Sequence, residues 1–244
     1  MSLDIRFIPI GKLAATTTPS PKPAKNYIPE WWKKIDSYIG GKADFLSDSS
    51  LNTTVKHCMP YIDALTGGYI QELSTDIYVD IKKDADNNFV IKINHSLQIP
   101  GLAPIKYRTY PKDASIQKFP EGYYPIEFTW SENWVTDTPD GWSTLYTHPM
   151  NRYDLPFITL SGLVDTDRGK VNIDGSIPFY IKDGFSGVIP AGTPIYQMLP
   201  VKRESWVSDV EEYSEYRYFR DLPRLKKYFT GGYVKNIWHK KRYE

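Results

Sequence analysis

From residue 123 to residue 201 the chain is heavily punctuated. Short runs rich in β-branched and aromatic residues ("YYPIEFTW" 123–130, "GWSTLYT" 141–147, "FITLSGLV" 157–164, "KVNI" 170–173, "IPFYI" 177–181, "SGVIP" 186–190, "PIYQMLPV" 194–201) alternate with Gly, Pro, Asn and Asp. Runs this short leave no room for a helix, and the turn residues between them end each one before it can lengthen. The spacing predicts an all-β sandwich or barrel of roughly 130 residues. Upstream, "TDIYVDIKK" (75–83) places Ile77, Val79 and Ile81 on one face and Asp76, Tyr78 and Asp80 on the other. After the turn "DADNN", Phe89, Ile91 and Ile93 alternate in the same way, which predicts a hairpin with one buried face.

The flanks differ from this core. Residues 4–10 read as a strand, and "AATTTPSPKPAK" (14–25) as an extended proline-rich linker. "IPEWWKKIDSYIG" (28–40) reads as a helix whose Trp31, Trp32, Ile35 and Ile39 form an apolar stripe; it docks either on a partner or on its own domain. At the other end Ser208 and Glu211 have the spacing of a capping box, predicting a helix to about Phe219, and "PRLKKYF" adds a further turn that Gly231 and Gly232 end. Trp238 in the closing aromatic and basic tail is a further candidate for partner contact. The resulting division is an arm (1–54), a β-rich core (55–206) and a C-terminal helical and aromatic/basic extension (207–244).

Composition narrows function. The net charge of +1 supplies no field to draw in nucleic acid or an anionic membrane, so neither is expected as a partner. No run of apolar residues is long enough for a signal peptide or a membrane span. Cys58 stands alone, which rules out a disulfide within the chain and reads as a small buried apolar residue. His57, His95, His148 and His239 lack metal-ligand spacing, so no metal site is expected.

Two stretches carry a resemblance. Pro139–Asp140–Gly141–Trp142, then Gly162, Val164, Asp165, Asp167, Arg168 and Gly169, then Gly192 and Gln197, follow one another as do the central motifs of trimeric dUTPases and dCTP deaminases, the β-clip fold. Lys56–Tyr69 ("KHCMPYIDALTGGY"), "THPMNRYDLPF" (147–157) and "GTPIYQMLPVKRESW" (192–206) resemble, over almost the full length, a group of uncharacterised tailed-phage and bacterial proteins. The resemblance implies a β-clip core, a homotrimer and a phage origin, with the protein made in the host bacterial cytoplasm and carried in the virion.

Whether the chemistry of the resembled enzymes is present is a separate matter. It would need an aspartate to orient water, amide and cationic donors to a triphosphate carrying Mg²⁺, and an aromatic floor for the base. The resemblance puts Asp165, Asp167 and Arg168 in the catalytic position, and Asp165, Arg168, His148, Asn151 and Gln197 as ligand-binding candidates. However, "DTDRG" (165–169) lacks the tyrosine expected before the arginine. Pro149 has no amide hydrogen to give a phosphate, and no Asp follows Tyr69. The aspartates then read as turn formers, with an Asp–Arg pair pinning the hairpin; Arg152 and Asp154 are a second candidate pair. The favoured reading is a non-catalytic virion component (head decoration, neck or tail attachment) with no cofactor. The alternatives are a nucleotide-binding or nucleotide-hydrolysing enzyme using Mg²⁺, and a phage factor that binds a small molecule or a host protein.

Overall fold

A computed structural model describes residues 4–45, 51–97, 99, 101–107, 119–167, 176–216, 219–220 and 231–244. The chain is mainly β, and among the described residues every strand pair is antiparallel. The hairpin of β4 (Ile77–Lys83) and β5 (Phe89–His95) forms as its alternation predicts. Ile77, Val79 and Ile81 are buried, and β13 (Gly187–Ile189) adds to the far edge of β4. A second sheet runs in the order β10 (Phe157–Thr159), β12 (Ser176–Ile181), β7 (Phe128–Ser131) and β6 (Ile105–Tyr107). The third and largest runs β11 (Gly162–Val164), β9 (Trp142–Thr147), β14 (Pro194–Lys202), β3 (Tyr69–Glu72) and β2 (Lys22–Pro23). A two-stranded pair joins β1 (Arg6–Pro9) to β8 (Trp134–Asp137). Among the described residues no sheet closes into a barrel.

The core lies where these sheets face one another. Trp130 of β7 stacks flat on Phe179 of β12, with centroids 3.6 Å apart, and Phe157 of β10 meets both edge-on. The indole is wholly buried, yet its N–H is satisfied by Thr159 Oγ1 at 3.1 Å, and that hydroxyl in turn donates to the Ile195 carbonyl at 2.6 Å. A polar handle on a buried aromatic needs such a partner; here it also ties β7 and β10 of the second sheet to β14 of the third.

Several local expectations give way. "FITLSGLV" is not one strand: the chain leaves the second sheet after Thr159 and enters the third at Gly162, where Leu163 and Val164 are exposed. The proline-rich stretch 14–25 is not an extended linker throughout. It holds the end of α1 (Lys12–Thr17), edge strand β2, and part of a 3-10 turn (Ala24–Tyr27), with Ala14 and Ala24 buried. Pro23 sits on a sheet edge, where a missing N–H costs no ladder bond, and Ala24 N–H closes on the Gly68 carbonyl at 3.0 Å. The Trp-rich helix is shorter than expected, α2 spanning Glu30–Lys34 only.

Residues 207–214 are not helical despite the capping-box spacing; helix is present at Glu215–Tyr216 and Phe219–Arg220. A cap offsets little of the nucleation cost when no apolar face is buried, and Val207 and Val210 are left almost wholly exposed. Residues 221–230 and "KVNI" lie outside the described residues. A helix that local periodicity did not predict, α3 (Met59–Thr66), follows Cys58, its N-cap residue, which is exposed rather than buried.

Candidate functional site

The loop after β11 carries Asp165, Thr166 and Asp167. Their geometry is set by β9, with which β11 pairs, and by the strand end of β14 beyond it. Asp167 has a side chain only 2 % exposed. It accepts the Gly141 N–H at 2.9 Å and is gripped by both terminal nitrogens of Arg203, the Nη1–Oδ1 distance being 3.1 Å. The Arg203 guanidinium, with the Gly141 amide second, holds the Asp167 carboxyl down at about 2. Asp165 is exposed; it accepts the Ser143 hydroxyl at 2.7 Å and lies 3.2 Å from Arg203 Nη1. The Arg203 guanidinium also donates to the Trp142 carbonyl at 3.0 Å. Between the aspartates, Thr166 is buried, its hydroxyl 2.7 Å from that of Thr138 and 2.8 Å from that of Thr144.

The arginine that these aspartates meet among the described residues is Arg203, thirty-six positions beyond Asp167. Arg168 lies outside the described residues. Arg203 stands in "KRESW", a stretch the sequence singles out without assigning it a partner.

The other candidates are internal ties. His148 accepts the Thr159 N–H at Nδ1 (3.3 Å), and its Nε2 lies 3.0 Å from the Arg152 carbonyl, which fixes the neutral tautomer with Nε2–H donating. Burial pushes its pKa down, while the Arg152 carbonyl acts in the opposite direction. Gln197 is buried on β14, where its Oε1 accepts the Met150 N–H at 2.8 Å and its Nε2 donates to the Ala64 and Gly67 carbonyls at 2.9 and 2.6 Å. Asn151, at φ 60°, takes the left-handed position of the turn between them, a conformation Asn tolerates better than most residues. Loop 147–152, where the resembled enzymes cradle a phosphate, thus directs its Met150 amide to Gln197 and its Arg152 amide to the Pro149 carbonyl.

Arg152 and Asp154 form a bidentate pair, both nitrogen–oxygen distances being 2.9 Å, and Trp31 Nε1 donates to Asp154 at 3.3 Å. Lys56 Nζ sits over the half-buried Trp32 ring, 5.4 Å from its centroid, and Ile35 is also half-buried. Trp238 donates to Asp63 at 2.9 Å, beside Lys241, which pairs with the same carboxylate at 2.6 Å.

Next to Asp165 opens a cavity of about 530 Å³ whose walls include Glu132, Thr136, Tyr146, Gly162, Asp165 and Ile177. Glu132 Oε1 accepts the Tyr146 hydroxyl at 2.9 Å, and burial pushes the Glu132 carboxyl above its ordinary value. Among the described lining residues the charged groups are the carboxylates Glu132 and Asp165. Such walls, largely apolar with a few polar groups, suit a small ligand with an apolar body.

Among the described residues no set of three His, Cys, Asp or Glu side chains is placed to hold a metal ion, and no helix is long and apolar enough to cross a membrane. Comparison of the chain with protein-family models, with curated proteins and with solved structures finds no match.

Proposed function

We propose that the protein is a non-catalytic structural component of a tailed-phage virion, serving in head decoration, neck or tail attachment. In this reading it is built on a β-clip scaffold and assembles as a homotrimer with other virion proteins around it. The observation that carries the non-catalytic half is the pairing of Asp167 with Arg203 and Gly141, with Asp165 held by Ser143 and Arg203. A water-activating carboxylate needs a free lone pair and a pKa near the working pH. Asp167 has its lone pairs engaged and is a very weak base. The Met150 and Arg152 amides of loop 147–152 are likewise engaged within the chain. The motif resemblance supports the phage origin and the β-clip scaffold, and the antiparallel sheets accord with that scaffold. Mass spectrometry of purified phage particles tests the proposal: a stoichiometric copy number supports it, and absence from intact particles overturns it.

The cavity beside Asp165 favours a second reading, a phage factor that binds a small molecule or a host protein there. The nucleotide-hydrolase reading predicts Mg²⁺-dependent pyrophosphate release from dUTP or dCTP. Release that collapses in Asp165→Ala would replace both other readings.

A further inference from the structure

Beyond β14 the chain leaves the sheets through Glu204–Tyr216, a segment that carries Trp206, Val207, Val210, Tyr213 and Tyr216. Trp206 is 86 %, Val207 96 % and Val210 94 % exposed. So many large apolar side chains in one short stretch rarely stay in water unless they serve a contact. Interleaved with them are Glu204, Asp209, Glu211, Glu212 and Glu215, with no Lys or Arg between residues 204 and 216.

The C-terminal tail has the opposite charge and the same apolar character. Trp238 and Lys241 fix it to Asp63, while Tyr243 packs edge-on against Tyr69, whose hydroxyl donates to the Glu244 carbonyl at 3.3 Å. Anchored in this way, the tail turns Tyr233, Val234, Ile237, Lys240 and Arg242 outward, all of them exposed.

We propose that the acidic, aromatic segment Glu204–Tyr216 of one copy docks on the basic, apolar face formed by Tyr233, Val234, Ile237, Lys240 and Arg242 of a second copy. Within one chain Trp206, Val207 and Val210 are exposed at the same time as Tyr233, Val234 and Ile237, so these apolar side chains do not cover one another. Unlike patches on a common chain make a heterologous contact, which closes into a ring when the rotation permits. The matched charges set register and partner choice, and the aromatic side chains supply the buried area. The inference deepens the assembly reading above and rests on it for self-association, but not for the place in a particle, so particle mass spectrometry and the following experiment fail independently.

Sedimentation velocity of the full chain at micromolar concentration, in low and high salt, tests the contact. The wild type should associate, more weakly in high salt. The double variant Asp209→Lys/Glu212→Lys and the double variant Lys240→Glu/Arg242→Glu should each associate at least about tenfold more weakly. The chain carrying all four changes should recover. Trp206→Ser/Val210→Ser should weaken association without a charge change. Circular dichroism establishes that each variant is folded, as is expected for substitutions at exposed positions. A monomeric wild type, or association indifferent to all these changes, would overturn the proposal.

Discussion

Arg203 and Asp167 join the end of the longest strand to the loop after the edge strand β11, by a two-pronged contact between a half-buried guanidinium and a buried carboxylate. The same guanidinium reaches Asp165 and the Trp142 carbonyl, so one side chain holds two strand ends and a loop in register.

Removing that guanidinium leaves the Asp167 charge out of water with only the Gly141 amide as partner. Arg203→Ala should lower the melting temperature clearly. Asp165→Ala should lower it far less, since its carboxylate is solvent-exposed and screened. Thermal denaturation of the two variants side by side checks the order, and equal shifts would contradict it.

The pair also sets an acid response. The folded Asp167 carboxyl lies at about 2, held there first by Arg203 and then by Gly141, while an unfolded aspartate titrates near about 3.9. A depressed folded value contributes stability above the unfolded value, and that contribution disappears as pH falls from about 4 through about 2. Urea denaturation across this window should show the wild type losing stability more steeply than Arg203→Ala, whose Asp167 lacks the main cause of its shift.

Gly68 lies in the left-handed region at φ 69°, and a Cβ there would come within 2.0 Å of the Met198 carbonyl oxygen on β14. Gly68→Ala should therefore cost more than about 1 kcal/mol. Gly162→Ala serves as the control, because a Cβ at Gly162 meets nothing within 4 Å and its φ is unstrained. Chemical denaturation of both variants decides the matter.

Trp130 is wholly buried between Phe157 and Phe179. Trp130→Ala should cost about 3–5 kcal/mol, and Trp130→Phe should cost less while leaving the Thr159 hydroxyl without its indole donor. The loss of intrinsic fluorescence assigned to Trp130 and the shift in denaturation midpoint give two independent readouts.

Strand periodicity was legible because it is local. Ile77, Val79 and Ile81 lie on the buried face that their alternation predicts, and the segments around β9, β12, β13 and β14 were visible from composition and turn residues alone. The pairing of Arg152 with Asp154 was legible for the same reason, the two being neighbours in the chain. The role of Gln197 was not, since its partners Ala64, Gly67 and Met150 come from two other segments. Nor was the burial of Ala14 and Ala24 in a stretch whose prolines suggest a free linker.

The amino-acid sequence by itself determined a mainly β chain, an alternating hairpin and a loop stocked with Asp165 and Asp167, because side-chain alternation and turn chemistry act over a few residues. Only the tertiary structure decided that Arg203 is the residue which holds those aspartates, that the run through Leu160 divides between two sheets, and that Trp238 reaches Asp63. Each of these joins residues far apart in the chain, and no local propensity records which distant partner lowers the free energy most.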